Sequence, residues 1–528
     1  LSYSETLRFS KIFLDYIDGK SALKPFYNYS PDLAGIRNAI DDRAKIQVNR
    51  VLLQNVLHDQ YSRILSESDV NSGKILASID SLAQENTFTV TTGQQTGIFL
   101  GPLYTLLKAI TVINLSRTLK KAFPEFNFVP VFWLASEDHD KEEINHLDIN
   151  SERIVWNTEQ HGAVGRFSTD GLVALSESII NKLGIGKYEK ELEGLLKQAY
   201  QRNSLADATA LLLHRLLGKD GLVIINPDDA LLKQSFVPIM QNEIKFQKSI
   251  DALNLTSESL SVQYKTQING RPINLFYLTN DERSLINADV NGKYSSLDGL
   301  KKWTERELLK EIGQHPEKFS PNVVLRPVYQ EQILPNIAYI GGAAEVAYWL
   351  QLKGVFEAHQ LFFPVIIPRN SAAFISSNTV RIIEKTGLPI ADFFKNKDVL
   401  IRELITSKYG KAITLDDEHK MLDELFNALS SRAQNIDPTL GASAIAFHKR
   451  MKKQMSQFSD KMLRAVKRKQ DVDFKRIMNV MDTIFPSGKL QERRDTILPY
   501  YLEYGDAFIQ LLLEELKPLD FRFSIIHL

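Results

Sequence analysis

The sequence predicts an α/β protein: a parallel-sheet core of the nucleotide-binding type, followed by a helical coiled coil. Three observations carry this. A β-type run at 87–92 opens onto a loop holding Gly93, Gly97 and Gly101, and Pro102 begins a helix. A second apolar run, 128–135, ends in Glu137-Asp138-His139-Asp140. Strand-like runs then return at 221–226, 336–340 and 362–368 with helical segments between them, the alternation that builds a parallel sheet. In such a sheet ligands sit at the carboxyl ends of the strands, where both chemically loaded loops fall.

In chain order, residues 1–86 read as helices packed on the core, with Ser30 expected as a cap before Pro31 at the first helical position. The core spans 87–375, with insertions of mixed polar elements at about 150–215 and 250–320. A helical coiled-coil domain follows at 376–490. Within it, Met451, Met455, Phe458, Met462, Ala465, Lys469 and Val472 step by alternating fours and threes, a heptad seam with one polar intrusion. An acidic segment upstream (Asp416, Asp417, Glu418, Asp423, Glu424) offers an antiparallel partner, and Pro486-Ser487-Gly488 ends the hairpin. The segment 491–528 is amphipathic, then β-like, and is expected to return to the core.

Composition excludes several classes. Lys+Arg and Asp+Glu are both 64 in 528 residues, which argues against a general binder of nucleic acid or membrane surface. The basic run 449–476 reads as a solvated coiled-coil face, because stacking aromatics are nearly absent from it. No apolar run approaches the ~20 residues of a membrane span. The N-terminal stretch has no signal-peptide pattern, so a cytoplasmic location is expected, and the lack of an initiator Met implies that residues precede Leu1. There is no cysteine, which excludes disulfides, thiolate nucleophiles and cysteine-ligated metals.

The candidate chemistry lies on the loops. Glu137, Asp138, His139 and Asp140 can hold an ammonium or act as acid and base; acids at a helix start would also explain Asp140. His139, Glu143 and His146 would share a helical face able to hold a metal, although no zinc pattern is present and no metal is assigned. Gly93, Gln94 and Gln95 lie where loop amides and the next helix could meet an anion. Asn322, Arg326 and Gln330 share a helical face, and Arg326 is a natural fork for a carboxylate or phosphate. Gly341-Gly342 precedes a helix carrying Glu345 and Trp349. Arg369 follows the last core strand and would face the same edge.

These motifs resemble a family. TGQQTG-x-F-x-GPLYTLLKAI, PVFWLASEDHDKEEINH, SPNVVLRPVYQEQILPNIAYIGG and Glu345-x-x-Tyr348-Trp349, in this order, are similar to the cysteine ligases of bacillithiol biosynthesis, and the similarity reaches the tail motif LDFRF. One departure is the lack of a proline after Gly341-Gly342. The resemblance implies a Rossmann-like core related to class I nucleotidyl transferases, with insertions and a coiled coil that forms a homodimer. It implies addition of L-cysteine to glucosaminyl-malate, forming an amide, the last step of bacillithiol biosynthesis. Tyr104 and Tyr329, within the quoted motifs, join the expected substrate-binding set. The HIGH and KMSKS patterns of the wider superfamily are absent, so ATP is not secured; if ATP drives the step, Mg²⁺ is expected near the Asp cluster.

The expected roles are then specific. Asp138 or Glu137 holds an ammonium. His139 takes the proton of the attacking amine. Gln94, Gln95 and the loop amides stabilise charge on the acyl oxygen. Arg326 and Arg369 bind malate carboxylates or a phosphate. The rivals are a nucleotidyl transferase acting on another small substrate, and a coiled-coil assembly protein with an inactive core.

Overall fold

The computed structural model describes residues 1–65, 72–149, 152–289, 292–409, 415–469 and 471–528. Its central sheet holds β1 (Thr87–Gln94), β2 (Asn127–Leu134), β3 (Val223–Ile225), β4 (Asn336–Gly341) and β5 (Val365–Pro368). Their spatial order is β5-β4-β1-β2-β3, and every neighbouring pair is parallel. The chain moves outward from β1 through β2 and β3 on one side, and through β4 and β5 on the other. The order therefore reverses between β1 and β4, and a reversal of this kind opens a crevice at the carboxyl ends of the strands.

β1 is covered on both faces, although four of its first six residues are threonines. The hydroxyls that need partners find them within the sheet: Thr91 donates to Asn336 Oδ1 at 2.9 Å and Thr92 to the Ile340 carbonyl at 2.9 Å. Satisfied in this way, a β-branched polar run serves as a buried strand. Helix α1 (Tyr104–Ala122) crosses from β1 to β2 and is buried along most of its length. Three further helices frame the crevice: α2 (Ala230–Phe246), α3 (Leu325–Ile333) and α4 (Ala343–Ala358).

The first insertion is mainly helical (Leu172–Leu183, Glu189–Tyr200, Leu205–Leu217). The second forms an antiparallel sheet that the sequence did not suggest. Its strands, in spatial order, are Phe319–Pro321, Leu275–Leu278, Arg283–Ala288, Lys293–Ser296 and Lys302–Thr304. With three to six residues each, they are too short to give a clear period-two signal. This small sheet walls one side of the crevice.

Near the N-terminus the cap differs from expectation. The helix is Leu33–Arg43, and Asp32 caps it by accepting from Gly35 N at 2.7 Å. Ser30 instead folds back over Gly35, where a Cβ would lie only 2.0 Å from its carbonyl oxygen.

Beyond the core, α5 (Asp416–Ile436) and α6 (Pro438–Lys469) form an antiparallel hairpin, as the charge pattern suggested. Asp423 pairs with His448 and Lys452 at 2.6 Å each, and Phe426 stacks on His448. In the heptad seam, Met455 and Met462 are half-buried, whereas Met451, Phe458 and Ala465 remain exposed. The side chains of Lys469 and Val472 lie outside the described set. The tail returns to the core: Phe523–His527 pairs in parallel with Ser371–Ile375. No helix among the described residues is long and apolar enough to cross a membrane.

Candidate functional site

The crevice at the strand reversal is a cleft of about 700 Å³. The ends of β1 and β2 supply Gly93, Gln94, Gln95, Glu137, Asp138 and His139. The small sheet and the loop before it add Arg271, Phe276 and Arg283, the segment leading into α3 adds Asn322, and the first turn of α3 adds Arg326. α4 contributes Glu345 and Tyr348. Segments distant in sequence thus meet around one hollow. Gly93 sits at a close approach: a Cβ there would lie 3.3 Å from the Trp133 carbonyl and 3.4 Å from the Trp133 side chain on the neighbouring strand, a tight fit.

The acidic loop divides its carboxylates between different tasks. Asp138 accepts from Gln95 Nε2 at 2.6 Å and from the His139 backbone at 2.8 Å, with Arg283 Nη1 at 3.4 Å. Burial alone would raise its pKa, but the Arg283 charge, Gln95 and the His139 backbone N–H outweigh this and hold it below the ordinary carboxylate range. Glu137 is deeper and pairs with the buried Lys233 of α2 at 2.7 Å. Burial raises its pKa, and Lys233 only partly offsets that. Lys233 also binds Asp228 at 3.0 Å, and Asp228 takes a two-point contact from Arg166. Despite burial, these two cations bring Asp228 down to about 2. Asp140 does not line the cleft; it caps the short helix Lys141–Ile144, accepting from Glu143 N at 3.2 Å. That helix ends before His146, so His139, Glu143 and His146 share no helical face. Among the described residues no group of three metal-binding side chains converges.

His139 is fixed by Arg283. Nη1 of Arg283 donates to His139 Nδ1 at 3.1 Å, its Nη2 donates to the Pro321 carbonyl at 2.8 Å, and its guanidinium lies 3.9 Å from the centre of the Phe276 ring. A guanidinium can only donate, so Nδ1 is an acceptor and the neutral ring carries its proton on Nε2. The imidazole therefore presents an N–H donor rather than a free lone pair, contrary to its expected use as a base.

The floor is organised by Lys108 of α1, which is 3 % exposed. Its ammonium donates to the Gly93 carbonyl at 2.8 Å and to Gln94 Oε1 at 2.9 Å, and it pairs with Glu345 at 2.6 Å. Burial lowers the Lys108 pKa, with Glu345 partly offsetting this. Glu345 also accepts from Tyr339 at 2.8 Å and from Gly342 N at 2.8 Å, so it holds the start of α4. Because Lys108 takes Gln94 Oε1 and one amide hydrogen points to Tyr104 Oη at 3.4 Å, the second N–H of Gln94 is the group left for a ligand. Beyond Thr96 the loop amides turn inward. The backbone N–H groups of Gly97, Phe99, Leu100, Gly101 and Leu103 are donated to Gln95, Tyr200, Gly97, Ile98 and Asp495.

Arg326 lines the cleft on the opposite side. Its Nη1 donates to Gln330 Oε1 at 3.1 Å, and its Nη2 is buried without a partner. Asn322 accepts from the N–H groups of Val324 and Leu325 and donates to Asn274, so it fixes the start of α3.

Four expected ligand-binding residues lie off the cleft wall. Tyr104 borders it only through Gln94, at 3.4 Å. Tyr329 is buried and donates to the Pro227 carbonyl at 2.8 Å. Trp349 is fully buried and stacks on Tyr339, whereas its neighbour Tyr348 reaches the cleft. Arg369 is claimed by Glu492 in a buried two-point ion pair, with contacts of 2.6 and 3.0 Å. Arg283, Arg271, Lys108 and Lys233 were not anticipated. A lysine on the buried part of α1 was a readable signal; arginines in short, irregular strands gave none.

Comparison with known proteins follows the two-part architecture. Residues 1–370 match the family described as "Bacillithiol biosynthesis BshC, N-terminal Rossmann-like domain". Residues 372–528 match "Bacillithiol biosynthesis BshC, C-terminal coiled-coil domain". Proteins named "Putative cysteine ligase BshC" are similar over essentially their whole length. The one from Flavobacterium johnsoniae is 38% identical, covering 100% of this chain and 99% of that one. The one from Flavobacterium psychrophilum is 37% identical (100% and 98% covered), and the one from Cytophaga hutchinsonii 36% identical (99% and 98%).

Proposed function

The chain belongs to the bacillithiol biosynthesis BshC family, and from that premise we propose that it is a ligase joining the carboxyl group of L-cysteine to the amine of glucosaminyl-malate. The observation that carries this reading is one cleft with an ionised carboxylate at one end and, at the other, a guanidinium with one nitrogen unpartnered. Asp138, ionised and open to the cleft, suits the cysteine ammonium. Arg326 and Arg271 suit the malate carboxylates, in place of Arg369. The Nε2–H of His139 and the Gln94 amide suit an acyl oxygen gaining negative charge. In the net reaction the amine nitrogen bonds to the acyl carbon, one carboxyl C–O bond breaks with its electron pair leaving on oxygen, and with the proton lost by the amine this amounts to removal of one water. Glu137, raised by burial, suits the proton that the amine gives up.

A free carboxylate does not condense with an amine unaided in water, so ATP is proposed as the source of activation. Glu137 and Asp138 already face cations and, among the described residues, no three-ligand cluster converges, so these carboxylates do not by themselves build a Mg²⁺ site. No step is assigned through nucleotide or metal. The test is mass-spectrometric detection of cysteinyl-glucosaminyl-malate from purified protein, with and without ATP. No product under either condition, with substrates bound, overturns the reading.

The hairpin leaves Met421, Leu425, Ile445, Phe447, Met451 and Phe458 exposed, which supports a homodimer through the coiled coil. Light scattering tests it: wild type should be dimeric and Leu425→Glu/Phe458→Glu monomeric. A cytoplasmic site of action completes the proposal, to be checked by cell fractionation.

A further inference from the structure

Arg326 is oriented by residues that do not touch the cleft. The Gln330 amide is pinned from behind: its Nε2 donates to Glu331 Oε1 at 2.9 Å. That leaves Gln330 Oε1 facing Arg326, where it accepts from Nη1 at 3.1 Å. Glu331 Oε1 also accepts from Asn336 Nδ2 at 2.7 Å, and Asn336 Oδ1 accepts from Thr91 at 2.9 Å. The chain of bonds thus runs from the two central strands to the guanidinium. Gln330 and Glu331 are 0% and 1% exposed, and neither lines the cleft. One nitrogen of Arg326 is held while the other, Nη2, is buried without a partner.

We infer that Gln330 and Glu331 are positioning residues that aim the free nitrogen of Arg326 at a carboxylate of the acceptor substrate. The inference rests on the reading of the cleft as the site for a malate conjugate. The physical reason lies in the direction of each bond. An amide has one accepting and one donating end, and a guanidinium only donates. Without an acceptor at Glu331 Oε1, the Gln330 amide is free to turn, and its N–H₂ would then confront Arg326 donor to donor. The need is for an acceptor at that position and not for a negative charge. Glu331→Gln keeps a carbonyl oxygen there; Glu331→Met removes it. A residue that mattered only to packing would not separate these two variants in binding.

The experiment titrates glucosaminyl-malate and methyl glucosaminide into each purified variant by calorimetry, with urea midpoints measured in parallel. Glu331→Met and Gln330→Met are expected to weaken glucosaminyl-malate about tenfold, Glu331→Gln less than threefold, and methyl glucosaminide is expected to be unaffected throughout. Arg326→Met calibrates the full loss. If wild type does not bind glucosaminyl-malate, the functional reading fails. If wild type binds, Arg326→Met weakens it, and Glu331→Met and Gln330→Met both bind as wild type, the positioning role is refuted. Equal loss in Glu331→Gln and Glu331→Met also refutes it. A variant that does not fold is replaced by Gln330→Leu, judged by the same ratio of the two affinities.

Discussion

Replacing Arg369 and Glu492 separately and together decides whether that arginine serves the ligand or the fold. Arg369 and Glu492 are 4% and 0% exposed, and the carboxylate accepts both guanidinium nitrogens, at 3.0 and 2.6 Å, with the Ala372 N–H at 3.0 Å. Arg369→Met strips two of these three donors and leaves a carboxylate in the interior without a counter-charge. Removing one partner of a buried pair costs about 3–5 kcal/mol, whereas replacing both with apolar groups of similar volume is often close to neutral. Arg369→Met and Glu492→Met should each therefore lose about 3–5 kcal/mol, and the double variant much less than their sum, a coupling of about 3 kcal/mol or more. The assay is urea denaturation, with midpoint shifts converted by the measured slope. The folded double variant should retain the wild-type KM for glucosaminyl-malate. Additive losses, or a stable double variant whose KM rises tenfold, would refute the assignment of Arg369 to the fold.

Other expectations follow from the same geometry. If His139 works through Nε2–H, His139→Gln, whose amide nitrogen can stand near Nε2, should retain at least tenfold more kcat than His139→Ala; equal loss in both would restore the ring as a base. Lys233→Met leaves Glu137 and Asp228 facing each other with Arg166 as the remaining partner of Asp228, and should destabilise by about 3–5 kcal/mol in urea. Lys108→Met should lower kcat more than it raises either KM, because Gln94 and Glu345 lose their shared anchor; a pure KM effect would count against this. Burial pushes Glu331 up to about 7, from an ordinary value of 4.5. A folded-state pKa above the unfolded one gives stability that is fully present below pH 4.5 and is lost as pH rises through about 7. The loss amounts to about 3 kcal/mol, which Glu331→Gln should remove from the pH profile of urea midpoints.

The sequence by itself determined the layered α/β core, the antiparallel helical hairpin and the loops that would bear chemistry. These are local properties. Hydrophobic period sets strand or helix, and opposite charge, as in Asp423 against His448 and Lys452 of α6, favours the pairing of the hairpin. It also placed Gln94, Gln95, Glu137, Asp138 and His139 at one sheet edge, because loops after parallel strands share an end. Only the tertiary structure decided what each of those groups is free to do. Arg369 reads as a ligand for anions until Glu492, 123 residues later, closes on it. His139 reads as a base until Arg283, from a small sheet of short strands, donates to Nδ1. The backbone amides at Gly97–Leu103, just past the Gly93-Gln94-Gln95 loop, are taken by Tyr200, Asp495 and the loop itself. A side chain's chemistry is set by whichever partner reaches its donors and acceptors first, and those partners come from contacts between distant segments that no local pattern encodes.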